Sequence, residues 1–120
     1  NVEDILSKHS DIAGCVGLFA YNPPLILEAL EQSGRISEVK VIGFDEDERT
    51  FHGIIDGTVH GTVVQNPYEY GARSVAILKA LAGGDKGVIP PGGIVNVPAR
   101  IIRRAEAEAF REDMRKKLGK

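Results

Sequence analysis

The 120-residue chain is 42% hydrophobic and 27% charged, with a formal net charge of −2. This composition suits one small folded domain and excludes a disordered segment, while the near-balanced charge gives no electrostatic basis for binding nucleic acid or an anionic membrane. No apolar run approaches the roughly 20 residues of a membrane-spanning helix.

In chain order, Val2, Ile5 and Leu6 share one face of a first helical pattern, punctuated by Asp11. The apolar run Ile12 to Ala20 predicts a strand buried on both faces. Cys15, the one cysteine, lies in that run; it is expected to be an inert core thiol and cannot form an internal disulfide. Tyr21-Asn22-Pro23-Pro24 breaks the run, and Pro24 suits the first turn of a helix, where no N–H is needed. Leu25, Ile26, Ala29 and Leu30 form that helix's apolar face, and Gly34 is its stop signal.

The stretch from Val39 to Gln65 organises the rest. A buried-strand signal, Val39 to Phe44, leads to Asp45. A short helical pattern follows with Phe51, Ile54 and Ile55, then a turn at Asp56-Gly57, then a β-rich run from Thr58 to Val64. Two parallel strands joined by a helix place Asp45 and Gln65 at the same edge of a sheet, where open α/β sheets bind ligands. A carboxylate and a carboxamide there suit a polyhydroxylated small molecule, since the first accepts hydroxyl hydrogen bonds and the second both donates and accepts.

Beyond Asn66-Pro67, Tyr68 to Ala82 reads as an amphipathic helix that Gly83-Gly84-Asp85 ends. Lys86 to Gly93 reads as a loop, Ile94 to Val97 as a short strand broken by Pro98, and Ile101-Ile102 as further extended chain. The tail from Arg103 to Leu118 predicts a charged helix with Ala107, Phe110, Met114 and Leu118 on one stripe. The alternation of strands and helices argues for an α/β fold with a mostly parallel sheet and flanking helices. The few strands and the leading helix fall short of a doubly wound domain, so the chain is expected to be part of a larger protein.

Other clusters give weaker signals. The run Asp45 to Glu48 lacks the glycine and distal glutamate of a calcium loop and reads as a solvated face, and Asp45 alone also suits a helix cap. His9, His52 and His60 lack metal-ligand spacing. The Gly83–Gly87 segment lacks phosphate-loop spacing and follows a helix. No nucleophile–base pair is apparent.

Three motifs together resemble the type I periplasmic sugar-binding proteins of ABC transporters, the ribose-binding-protein-like group. They are Gly17 to Asn22, a strand ending in Asn before a helix; Val41-Ile42-Gly43-Phe44-Asp45; and Asp56-Gly57 followed by Gln65-Asn66-Pro67 and Gly71. Many relatives carry an acidic residue after the Asn, where this chain has Pro23.

The resemblance implies a two-lobed fold closing on a monosaccharide, of which this chain supplies the C-terminal portion. It implies that Asn22, Asp45 and Gln65 hydrogen-bond sugar hydroxyls, with Tyr21 adding a hydroxyl or ring edge. Residues 1–65 would belong to the second lobe, 66–97 to a crossing segment, helix and strand of the first lobe, and 98–120 to a return to the second lobe with the terminal helix. The implied partners are a sugar, the remainder of the two-lobed protein and a membrane permease. No cofactor, catalytic residue or nucleic acid is implied, and the expected location is periplasmic or extracellular and lipid-anchored. The alternative function is the effector-sensing domain of a lactose-repressor-type regulator, which shares the fold.

Overall fold

The computed structural model describes residues 2–119. The elements are α1 (Val2–Lys8), β1 (Gly14–Val16), α2 (Asn22–Gln32), β2 (Lys40–Phe44), α3 (Glu48–Asp56), β3 (Val59–Val64), α4 (Pro67–Ala82), β4 (Arg100–Ile102) and α5 (Arg104–Lys117). A short 3-10 turn, Lys86–Val88, interrupts the loop after α4. The chain divides into two compact units: residues up to Val64 with those from Ile101 onward, and Gln65–Arg100.

The first unit is an α/β layer structure. Its sheet has the order β1-β2-β3-β4, with β1 parallel to β2 and β2 parallel to β3. The core lies between sheet and helices: Leu30, Val41, Phe51, Ile102 and Ala107 are fully buried. Each large side chain among them contributes about 1.5–3 kcal/mol by leaving water. Phe110 of α5 meets Phe51 ring to ring at 5.6 Å, which docks the terminal helix on α3.

Local chemistry explains the helix bounds. Pro23 and Pro24 occupy the first turn of α2, and Ile26, Leu27, Ala29 and Leu30 face the core. The helix stops where Gly34 turns to φ 70° and Arg35 N–H donates to the Leu30 carbonyl at 2.8 Å. Asp47 caps α3, its Oδ1 accepting from the N–H groups of Arg49 (2.8 Å) and Thr50 (3.2 Å). Gly57 ends that helix at φ 94°. In α5, Glu106 reaches back to accept from the Arg103 N–H at 3.2 Å, one half of a capping box.

Several expectations need correction. The first strand is three residues long and not buried on both faces; Val16 is 57% exposed and Leu18 61%. The reason is cover: the helix that follows β1 packs on β2, and among the described residues no helix lies across β1 itself. Ile94 to Val97 forms no strand. Within the second unit α4 is the only long element and offers no strand edge to pair with, so extended propensity alone builds nothing. The α5 stripe holds for Ala107, Phe110 and Met114 but ends before Leu118, which is 61% exposed.

In the second unit α4 buries no residue. Asn66 caps it by accepting from Glu69 N–H at 3.1 Å, and Pro67 follows in the first turn. Ala76 and Ile77 of α4 and Val88, Pro90 and Val95 of the following loop line a cleft of about 370 Å³.

Candidate ligand-binding site

The carboxyl ends of β1 and β2 meet around two glycines. A Cβ added at Gly17 would lie 2.8 Å from Pro23 Cδ, and one at Gly43 would lie 2.9 Å from Pro23 Cγ. Only hydrogen fits at either place, so the buried Pro23 ring seats directly on both strands. This close approach fixes the start of α2 over the end of β2. It brings Asn22, the first α2 residue, and Asp45, the residue after β2, to one edge of the sheet. Pro23 is therefore a packing residue.

Asn22 is locally fixed. Its Oδ1 accepts from the Phe19 N–H at 2.9 Å, while its own N–H donates to the Phe19 carbonyl at 2.9 Å. The amide oxygen is thus engaged within the turn, and Nδ2 is the end of the side chain oriented by that bond. Tyr21 stands beside it, 62% exposed, stacked on Phe19 with ring centroids 5.7 Å apart and planes within 6°.

Asp45 is the one non-glycine residue at positive φ among the described residues, at 64°. Asp tolerates this left-handed conformation better than most side chains. Its N–H donates to the Val63 carbonyl at 2.9 Å, and its carbonyl accepts from Thr62 Oγ1 at 2.9 Å. Asp45 does not cap α3; Asp47 does. Gln65 directly follows Val64, the last residue of β3, and is the first residue of the second unit.

The acidic run is divided by role. Burial pushes the Glu46 carboxyl up, its own backbone N–H opposes this, and neighbouring Asp45 adds to the rise. The Glu48 carboxyl is held down, first by its hydrogen bond with Arg115 and then by that with Arg111. Its two oxygens accept from Arg111 Nε at 2.7 Å and Arg115 Nε at 2.9 Å. The other end of Arg111 lies 3.0 Å from His52 Nε2. Burial raises the Cys15 thiol, with Arg35 opposing, as befits an unreactive sulfur.

Two further depressions in the first unit lie away from this edge. One, about 240 Å³, is lined by Ile36, Lys40, Asp56 and Thr58 at the amino ends of β2 and β3. The other, about 380 Å³, lies between α1 and α2 beside Arg35.

Sequence reasoning missed Gly43, Pro23 and Thr62 as the residues that shape the edge. A glycine inside the apolar run Val41 to Phe44 is a signal of close backbone approach. Nothing in the sequence distinguishes Thr62 from its β-rich neighbours.

Comparison with known proteins follows the same lines. A profile for the "Periplasmic binding protein domain" matches residues 1–86. The ribose import binding protein of Escherichia coli (strain K12) is 30% identical over 87 residues, covering 71% of this chain and 28% of that protein. Its counterpart from Salmonella typhimurium is 29% identical over the same shares. The chain therefore spans less than a third of the length of these relatives.

Among solved structures, GanP, a glucose-galactose binding protein from Geobacillus stearothermophilus, superposes with a TM-score of 0.76 at 28% identity, over 88% of this chain and 36% of that one. The arabinose binding protein AraP from the same organism superposes equally well, with a TM-score of 0.76, at 19% identity, over 91% of this chain and 39% of its own. The profile match over most of the chain leads to one assignment: the chain belongs to the periplasmic binding protein family.

Proposed function

We propose that this chain is part of the solute-binding component of an ABC-type sugar transporter, and that Asn22, Asp45, Gln65 and Tyr21 contact a monosaccharide. The observation that carries this reading is the left-handed Asp45 at the carboxyl end of β2, with Asn22 held at the same edge through Pro23. Backbone strain at a polar residue on a sheet's carboxyl edge is characteristic of ligand sites. The similar proteins bind ribose, glucose or galactose, and arabinose by their names, which supports a small sugar as the ligand class.

The roles follow from side-chain chemistry. Asp45 accepts from sugar hydroxyls through a charged carboxylate. Asn22, with its oxygen taken by Phe19, donates through Nδ2 to a hydroxyl oxygen. Gln65, continuing from β3, offers both a donor and an acceptor. Tyr21 presents an exposed ring and hydroxyl. The first unit would be part of one lobe of a two-lobed protein and the second unit part of the other. Support for that comes from the separate clustering of residues 65–100 and from the exposed apolar face of α4, where Val75 and Leu78 are 67% and 65% exposed. Such a face favours cover by further protein. The working location would be periplasmic or extracellular, and the acceptor of the sugar a membrane permease.

Calorimetric titration of the full-length protein with D-ribose, D-glucose, D-galactose and D-arabinose tests the reading. One of these sugars is expected to bind, and Asp45→Ala to weaken it by about 3 kcal/mol, roughly 150-fold, because partner hydroxyls lose a charge-assisted acceptor. Affinity within about threefold of wild type in Asp45→Ala would remove Asp45 from the site.

A further inference from the structure

We propose that Thr62 is a positioning residue for sugar binding: its buried hydroxyl holds Asp45 in the left-handed conformation that presents this residue at the ligand edge. The inference rests on the reading of Asp45 as a sugar contact. Its basis is a set of contacts between β2 and β3. Thr62 is 1% exposed, and its Oγ1 donates to the Asp45 carbonyl at 2.9 Å. The next β3 residue, Val63, accepts from the Asp45 N–H at 2.9 Å. Successive residues of one strand therefore grip both peptide groups of Asp45. At φ 64° Asp45 is in a conformation uncommon for non-glycine residues, which Asp tolerates but which contacts such as these help to select.

Gly43 completes the device. It is the register partner of Thr62, and a Cβ there would stand 3.2 Å from Thr62 Oγ1. The missing side chain leaves room for the hydroxyl beside the strand. A buried hydroxyl needs a partner, and the one provided is the carbonyl of the ligand residue itself. This is more than a satisfied core threonine, because its acceptor is the strained residue and not an ordinary ladder carbonyl. Asp45 carries the sugar contact; Thr62 sets the angle from which it is made.

The test compares Thr62→Val, which keeps the shape and removes the donor, with Thr62→Ser, which keeps the donor. Thr62→Ala serves if the valine variant does not fold. Two readouts are used in the full-length protein: affinity for whichever of D-ribose, D-glucose, D-galactose and D-arabinose the wild type binds, and the Asp45 φ angle from a crystal structure of each variant. Thr62→Val is expected to lose about tenfold in affinity and to move Asp45 out of positive φ, while Thr62→Ser stays within about threefold of wild type. Wild-type affinity in Thr62→Val, or an Asp45 angle that does not move, overturns the proposal. If the wild type binds none of the four sugars, the reading of Asp45 as a sugar contact fails, and the angle still decides whether Thr62 sets its conformation.

Discussion

Gly43→Ala isolates the contact on which the edge is built. Two effects oppose each other. Replacing glycine by alanine in a strand removes unfolded-state freedom and stabilises by about 0.5–1 kcal/mol where the backbone permits. Gly43 is not at positive φ, so that gain is available. Against it, the new methyl would meet Pro23 Cγ at 2.9 Å, Thr62 Oγ1 at 3.2 Å and Thr50 Cγ2 at 3.3 Å. None can step aside easily. Pro23 is a closed ring buried at the start of α2, and Thr50 and Thr62 are each 1% exposed. Overpacking costs about 1–3 kcal/mol, and three immobile neighbours place this site at about 2–3 kcal/mol; against a gain of about 1 kcal/mol the net loss is about 1–2 kcal/mol.

Thermal unfolding of the full-length protein should show the midpoint falling by roughly 2–8 °C. Because Pro23 adjoins Asn22 and Thr62 holds Asp45, sugar affinity should fall along with stability. The double variant Gly43→Ala with Pro23→Ala should be less destabilised than the sum of the single changes, since removing the ring relieves the clash. A Gly43→Ala protein as stable as wild type would mean that α2 does not press on β2, and the account of how Asn22 and Asp45 share an edge would fall.

Glu48→Gln should cost about 0.5–1 kcal/mol at neutral pH, because the Glu48 side chain is 43% exposed and its pairs with Arg111 and Arg115 are screened by solvent. Glu48 has its carboxyl lowered in the folded state, so its contribution is present above the ordinary value of 4.5 and is lost as pH falls through the folded value. Urea midpoints of wild type and variant should therefore converge as pH falls well below 4.5, and a gap that persists once Glu48 is protonated would count against the ion-pair origin. Arg35→Ala removes guanidinium bonds to the carbonyls of His9 (3.3 Å), Ser10 (3.0 Å) and Ile12 (3.1 Å) and should cost about 2 kcal/mol. Amide exchange in the segment 9–14 should accelerate; unchanged exchange there would show that Arg35 does not anchor the connection between α1 and β1.

The parts of the fold legible in the sequence are those written locally. Apolar runs gave β2 and β3, turn glycines gave the ends of α2 and α3, and the stripe Ala107-Phe110-Met114 gave the buried face of α5. Features that depend on a distant partner were not legible. Nothing local says that β1 lies at the sheet's edge, or that Ile94 to Val97 has no strand to join. The run Asp45 to Glu48 looks uniform in sequence, yet it contains a strained strand end, a helix cap and an ion-pair hub. The difference arises from β3 on one side and α5 on the other, and Arg111 lies 63 positions from Glu48. Thr62 was hidden for the same reason, since its hydroxyl meets the Asp45 carbonyl only once β3 lies beside β2.

The chain leaves the first unit at Val64 and re-enters at Ile101, although β3 and β4 are neighbours in one sheet. During synthesis the C-terminal face of that unit therefore stays open while all of Gln65–Arg100 is made. The outer side of β3 waits as an unpaired strand edge, the kind of surface that invites pairing with another chain. Its cover, β4, is made only after the second unit, and a Cβ at Gly61 would meet the Ile102 carbonyl at 2.9 Å, so the fit is close on arrival. Closing so long a loop costs only slightly more entropy than closing a short one, but it delays the event. A segment made after the whole second unit thus completes the first unit's sheet, and a nascent chain halted before Ile101 would carry the edge of β3 uncovered.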